Sequence, residues 1–284
     1  MKIGVMTQSF RLDFENALKT AAALKADGIQ FYASGGEMHF EKINSARRVE
    51  LRRHISDMGL EISAVCGDFG GHGFQNEAEN KKRIEDTKRV IDLALDLGSG
   101  IVTTHIGVIP SSSSNPRYAV MAKACEAMGS YAKKMRASLA IETGPEPAST
   151  LRSFLDDIGM EKGLGVNFDP ANLVMVCREN IPEAVRILGK YIVHTHAKDG
   201  VNLMEVDAEK LYGSFAGDSH PGFNCNDYIR ELPLGKGAVP FKDYISVLRE
   251  TGYDGYLTIE RETGSDPKAD IAEAVGFLRE LLRA

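Results

Sequence analysis

Cysteine is scarce in this chain and never paired in sequence. Cys66, Cys125, Cys177 and Cys225 are scattered over 284 residues with no CxxC spacing. That excludes a disulfide framework and a thiolate zinc site, and reads as free thiols in a reducing compartment. No apolar run approaches the roughly eighteen residues needed to span a bilayer. The start, MKIGVMTQSFRLDF, turns polar too soon for a signal peptide. The expectation is a cytoplasmic protein with no membrane partner. A basic excess is also missing, since 34 Lys and Arg face 40 Asp and Glu for a formal charge of −6. Such a balance speaks against a nucleic-acid partner. No low-complexity linker divides the sequence, and no glycine-rich phosphate turn follows its first apolar run.

What is present is an ordinary globular mix, 43% hydrophobic and 26% charged, ample for a large core. Short apolar runs alternate eight times with longer amphipathic stretches. The runs at 2–7, 28–33, 60–66, 100–107, 138–143, 164–169, 191–196 and 255–260 are mostly rich in Ile, Val, Leu or Thr. Most follow Gly or a polar turn, as strands do. In the stretch NKKRIEDTKRVIDLALDLG, Ile84, Val90, Ile91 and Leu95 fall roughly on one helical face. Eight strand–helix units in this length predict an α/β fold, a single-domain (β/α)8 TIM barrel over residues 1–284. A doubly wound sheet competes, but would usually carry the phosphate turn that is missing. The longest irregular stretch is 199–235, rich in Gly, Asp and Asn, a length that marks a lid or binding loop.

In a barrel the chemistry collects at the carboxyl ends of the strands. Those ends carry His105, Glu142, Asp169, His196 and Glu260 for the fourth to eighth strands. Side-chain alternation sharpens the placement. Leu139 and Ile141 face the helices, so Glu142 points into the barrel; Asn167 and Asp169, and Thr258 and Glu260, point inward by the same count. His194 and His196 share a face. Three converging carboxylates repel one another unless a positive charge sits between them. One divalent cation answers this. Three carboxylates and an imidazole form a hard, oxygen-dominated site that suits Mn²⁺, Mg²⁺ or Co²⁺, with Zn²⁺ also able to take such ligands.

Each residue alone has a plainer reading. Glu142 would be a solvated loop carboxylate, Asp169 a cap for the turn begun by Pro170, and His196 a satisfied buried histidine. Their conjunction at successive strand ends favours a shared metal site. His194 reads either as a partner of that site and of substrate or as a packed barrel histidine. His105 is inward by parity and placed to touch substrate. His72, in GDFGGHGF, sits among glycines that let backbone approach a ligand closely. Lys198 points the same way as His196 and would neutralise a developing oxyanion; its alternative is a loop lysine paired with Asp199. Arg261 faces away and reads as a structural salt bridge, and Lys236 as a loop residue near the rim.

The segments IETG (141–144), NFDPAN (167–172), HTHAKD (194–199), LGKG (234–237) and GYDGYLTIERE (252–262) resemble the xylose isomerase-like barrel superfamily. Within it they are most similar to bacterial sugar phosphate isomerase/epimerase-type proteins. The likeness covers nearly the whole chain and is specific to the superfamily, not to a substrate. It implies that Glu142, Asp169, His196 and Glu260 bind one divalent metal, Mn²⁺ first among the candidates, and that Glu142 and Glu260 carry the acid–base work. The implied activity is a metal-dependent epimerisation or isomerisation of a ketose or keto-sugar through an enediolate. The substrate would be a small sugar or cyclitol, unphosphorylated for want of a phosphate cradle, with His72, His105, His194 and Lys198 about it. The resemblance also admits an inosose-type dehydratase on the same apparatus, a homo-oligomer (dimers and tetramers are common there), and a non-catalytic sugar-binding protein. Apurinic-site endonucleases of this superfamily use a trinuclear zinc cluster. Their DxxH becomes Asp169 with Asn172 here, and Asp218-Ser219-His220 only echoes their DxH, lying well upstream of LGKG.

Overall fold

The computed structural model describes residues 1–159 and 163–283. All eight predicted runs form strands, with β1 at Lys2–Met6, β2 at Gly28–Tyr32, β3 at Glu61–Cys66 and β4 at Ile101–Thr104. They continue with β5 at Ser138–Glu142, β6 at Leu164–Phe168 and β7 at Ile192–Ala197. A hairpin of β8 (Asp199–Asn202) and β9 (Ile229–Leu232) intervenes before β10 at Tyr256–Ile259. The eight long-range strands close into one parallel ring in the order β1-β10-β7-β6-β5-β4-β3-β2. This is the expected TIM barrel, and β8 and β9 pair antiparallel outside it.

Helices return the chain between strands: α1 (Phe14–Ala23), α2 (Ser45–Asp57), α3 (Glu77–Leu97), α4 (Pro116–Met135) and α5 (Ala148–Ile158). After β6 comes a single turn, α6 (Pro170–Asn172), that runs through a π-helical stretch, Leu173–Cys177, toward α7 (Ile181–Leu188). Then follow α8 (Ala208–Phe215), α9 (Phe241–Glu250) and α10 (Pro267–Arg283). Local chemistry sets their ends. Asn76, Asn115 and Asn180 cap α3, α4 and α7 by accepting backbone N–H bonds, and Gly98 closes α3 in the left-handed conformation. Among the described residues no helix is long and apolar enough to cross a membrane.

The alternation read from the sequence holds. Leu139, Ile141, Val166, Phe168, Leu257 and Ile259 are buried in the apolar core between sheet and helices. The barrel interior is instead polar near its carboxyl end, filled by Gln30, Ser63, Thr103, Asn167, His194 and Thr258. Register levels these side chains: Glu142 stands beside Asn167, Asn167 beside His194 and Thr258 beside His196. The pairing of β6 with β7 slips between Val166 and Asn167, a bulge that brings His194 level with Asn167.

Two expectations need correction. The fourth strand stops at Thr104, one residue short of the expected end at His105, so His105 lies just past the sheet. There Thr104 Oγ1 donates to the His105 carbonyl at 3.0 Å, and Gly107 turns the chain at φ 92°. The stretch 199–235 is not irregular throughout: it holds β8, α8 and β9. Its base is tied by Asp199, whose carboxylate accepts N–H bonds from Gly200, Gly235, Gly237 and Val239 at 2.8 to 3.1 Å. The glycines of LGKG thus serve a structural knot, and Lys236 is exposed and outside the cavity lining.

Candidate metal centre

Glu142 ends β5, His196 lies in β7, and Asp169 and Glu260 are the first residues beyond β6 and β10. One ligand atom from each lies within 4.8 Å of all the others, and all four residues are buried. His196 Nδ1 faces Glu142 Oε1 at 3.5 Å, Asp169 Oδ2 at 3.5 Å and Glu260 Oε2 at 3.4 Å. Bonds of about 2.1 Å to a shared ion separate neighbouring ligands by roughly 3 to 3.5 Å. The spacing fits.

Asp169 supplies the sharpest test of that fit. Its Oδ1 accepts the Ala171 and Asn172 N–H groups at 2.8 and 3.0 Å, capping α6. Its Oδ2 is buried and, among the described residues, meets no hydrogen-bond donor closer than His196 Nδ1 at 3.5 Å. A buried carboxylate oxygen without a donor is costly unless a cation completes it. The cap that sequence offered as the plain alternative therefore coexists with a free ligand atom. On the far side of the imidazole, His196 Nε2 lies 3.2 Å from Gln30 Oε1, whose amide donates to Thr103 Oγ1 at 2.9 Å. Nε2 also lies 3.2 Å from Asn167 Nδ2, while Nδ1 is the ring nitrogen that faces the carboxylates. Without an ion, burial works against charging His196, but Glu260 and Glu142 overcome it and hold its pKa well above the usual value. The carboxylates demand positive charge.

The two glutamates are held differently. Glu142 accepts Asn167 Nδ2 on Oε2 at 3.1 Å and Asn172 Nδ2 on Oε1 at 3.3 Å. Glu260 instead meets the buried Lys198 ammonium at 3.0 Å, which also pairs with Glu262. Burial opposes its ionisation, yet Lys198 and His196 bring its pKa below the ordinary value. His105 donates through Nδ1 to Asp68 at 2.9 Å and sets Nε2 3.6 Å from Glu142 Oε1. Desolvation alone would depress its pKa, but Glu142 and Asp68 raise it to about 10. Behind this layer Glu146 is buried, with Oε2 accepting the Ile109 N–H at 3.2 Å; desolvation pushes its pKa to about 8.

A cavity of about 560 Å³ opens above the ligands, and Glu142, Glu260, His105 and Lys198 line it together with Tyr32 and Tyr212. Helix α8 roofs it. Tyr212 reaches down beside Gly144, where a Cβ would stand 2.2 Å from the tyrosine hydroxyl. Two contacts fasten the roof to the barrel rim: Arg117 with Glu209, and His72 with Asp218. Carboxylates outnumber Lys and Arg in the lining by seven to three.

His72 lines the cavity as part of that roof contact, while its neighbouring glycines serve the loop itself. A Cβ on Gly73 would collide with the Ile106 carbonyl carbon at 2.2 Å. His105 and Lys198 reach the cavity, and Lys198 pairs with Glu260 and Glu262, leaving Asp199 to its knot. His194 lies beneath the ligands, bonded to Asn167 and Thr258, and is absent from the cavity lining. Arg261 forms its salt bridges with Glu231 and Asp270, at 2.7 and 2.8 Å. The sequence reading passed over Asp68, Gln30 and Tyr212, and weighed Asn172 only as the departure from a DxxH. Asp68 and Gln30 did leave a trace, one at the third strand's exit and the other as the polar residue inside GIQFYA.

A family model described as a xylose isomerase-like TIM barrel matches residues 18–281. No curated protein sequence matches the chain. Among solved structures, a xylose isomerase domain protein from Planctomyces limnophilus is 27% identical, with a TM-score of 0.79 over 99% of this chain and 96% of its own. The "probable 3-DHS dehydratase AsbF involved in the petrobactin synthesis" from Bacillus anthracis is 18% identical, with a TM-score of 0.75 over 98% of this chain and 99% of its own. A D-psicose 3-epimerase determined with D-fructose is also 18% identical, with a TM-score of 0.72 and full coverage of both chains. Likeness at 18% speaks for the fold alone. The closed eight-stranded ring agrees with a family match that runs from α1 into α10, and the chain belongs to the xylose isomerase-like TIM barrel family.

Proposed function

We propose that this protein is a divalent-metal-dependent epimerase or isomerase of a neutral ketose or keto-sugar, acting through an enediolate. The observation that carries this reading is the convergence of Glu142, Asp169, His196 and Glu260 on the floor of a cavity that both glutamates line. The donor set suits Mn²⁺ first, then Mg²⁺ or Co²⁺, with Zn²⁺ less favoured. Such an ion supplies the charge that draws electrons from a carbonyl and acidifies the neighbouring C–H. Glu142 and Glu260 reach the floor from β5 and β10, which are separated in the ring by β6 and β7. One takes the proton from one face of the substrate carbon and the other returns a proton to the opposite face, giving inversion. His105, kept protonated by Asp68 and Glu142, offers a hydrogen-bond donor to a substrate oxygen.

The acidic lining favours an uncharged polyol over a phosphate ester or a carboxylate, because carboxylates outnumber Lys and Arg there and two of the three basic side chains, Lys198 and Arg117, are already paired. A second reading, the dehydratase, is favoured by the cationic His105 and Lys198 beside the glutamates, since either has a proton to give a departing hydroxyl. The test is a panel of ketoses, 3-keto-sugars and inososes incubated with Mn²⁺ in D₂O and followed by NMR. The expected result is metal-dependent deuterium uptake at the inverted carbon, abolished by chelator. Water loss in place of inversion would select the dehydratase. Turnover of phosphorylated sugars alone would overturn the neutral substrate, and cleavage of abasic DNA with three zinc ions per chain would overturn the whole reading.

A further inference from the structure

Beneath the ligands lies a buried polar layer to which the proposed chemistry gives no task. Asn167, His194, Thr258 and Ser63 are each at most 4% exposed. Such a layer is tolerated only where donors and acceptors match, and here the match orders the hydrogens between Thr258 and Glu142. Asn167 Nδ2 donates to Glu142 Oε2 at 3.1 Å. A carboxylate only accepts, so the opposite amide orientation would set oxygen against oxygen. Asn167 Oδ1 therefore faces His194 Nδ1 at 2.8 Å, and that nitrogen must carry the hydrogen. His194 Nε2 is left to accept the Thr258 hydroxyl at 3.1 Å. Ser63 spends its own hydrogen on the Ile29 carbonyl at 3.0 Å, so it does not compete for the acceptor.

We infer that His194 and Asn167 are positioning residues for Glu142, a one-way relay from Thr258 that holds Oε2 and turns Oε1 toward the other ligands. Glu142 Oε1 faces His196 Nδ1 at 3.5 Å as a result. The inference rests on the metal-centre reading above. It differs from packing in one respect: only the donor at the His194 Nδ1 position matters to Glu142, not the bulk of the ring.

Two substitutions separate these roles. In H194N the side-chain amide nitrogen stands near the place of Nδ1 and keeps the donor to Asn167. In H194Q the amide nitrogen stands near the place of Nε2, so that donor is lost. Mn²⁺ binding is measured by calorimetry, the Co²⁺ form by its visible absorption, and the metal-free fold by thermal melting. Wild type is expected to take one Mn²⁺ per chain. H194Q and N167L should each bind it about 10- to 100-fold more weakly, with an altered Co²⁺ spectrum. H194N should recover most of the affinity, and H194Q/N167L should be no weaker than N167L, because both act on one path. Equal metal affinity in H194Q and H194N, with both melting lower when metal-free, would reduce the layer to packing and overturn the relay. So would additive losses in the double variant. If N167L does not fold, the H194Q and H194N pair decides alone. A wild-type chain that takes up no divalent ion overturns the metal reading, and the relay with it.

Discussion

At the floor of the cavity the side chains of Asp169 and His196 are 0 and 1% exposed, whereas at the roof His72 and Asp218 are 47 and 44% exposed. The floor side chains leave the strand ends of a closed ring, braced from below by Asn167 and Gln30. The roof is an excursion between β7 and α9 held to the rim by the Arg117–Glu209 ion pair and the His72–Asp218 contact. Exposed pairs of that kind contribute about 0 to 1 kcal/mol each. Rigidity belongs where charge must be placed to a fraction of an ångström, and looseness where substrate must enter.

The largest effects should come from the floor. Asp169→Ala or His196→Ala should lose bound metal and activity together while the circular dichroism of the barrel persists; elemental analysis reads the first and an NMR exchange assay the second. Retained metal with lost activity would remove that residue from the ligand set. Next come Glu142→Gln and Glu260→Gln, which keep an oxygen ligand but remove the basic site. Each should cost about 10²- to 10⁴-fold in turnover with a smaller loss of metal. One of the two should still exchange substrate hydrogen in D₂O without inversion, from the face its surviving partner serves. Near-normal turnover in both, with metal bound, would end the two-base mechanism.

Glu146 lies between the two regions and sharpens the contrast through pH. Its folded-state pKa of about 8 stands above the ordinary carboxylate value. The folded chain therefore holds a proton that the unfolded chain has released. The stabilisation is complete below about pH 4.5 and is lost as pH rises through about 8, amounting to as much as ~5 kcal/mol. Glu146→Gln should flatten the fall in melting temperature over that window; an unchanged slope would show that Glu146 ionises normally. The smallest effect belongs to the roof. Glu209→Ala should shift stability by less than about 1 kcal/mol, yet speed limited proteolysis within 203–228 in the absence of sugar. Cleavage at one rate with and without sugar, in variant and wild type alike, would show that the roof does not respond to substrate.

The same contrast decided what could be read from the sequence. The floor follows a period of two at strand ends, so Glu142, Asp169, His196 and Glu260 can be aimed at one point from the sequence alone. The roof has no such rule. Arg117 meets Glu209 across 92 residues and His72 meets Asp218 across 146, and no local pattern announces either pair. His105 shows the limit of periodicity, since its strand ends one residue earlier than the apolar run suggests. Lys198 shows the limit of proximity: its sequence neighbour Asp199 is claimed by four backbone amides, so the lysine turns to Glu260.

Asp169 binds two orders of structure with one carboxylate. Its Oδ1 secures the first turn after β6 and its Oδ2 awaits a charge, so an arriving cation would also tighten the start of the chain's path to α7. Occupancy then becomes a thermodynamic reserve. At a free ion concentration a hundred times its dissociation constant, the folded chain would gain about 2.7 kcal/mol over the unfolded one. If the site is filled as proposed, losing the ion would leave a softer, more easily degraded barrel.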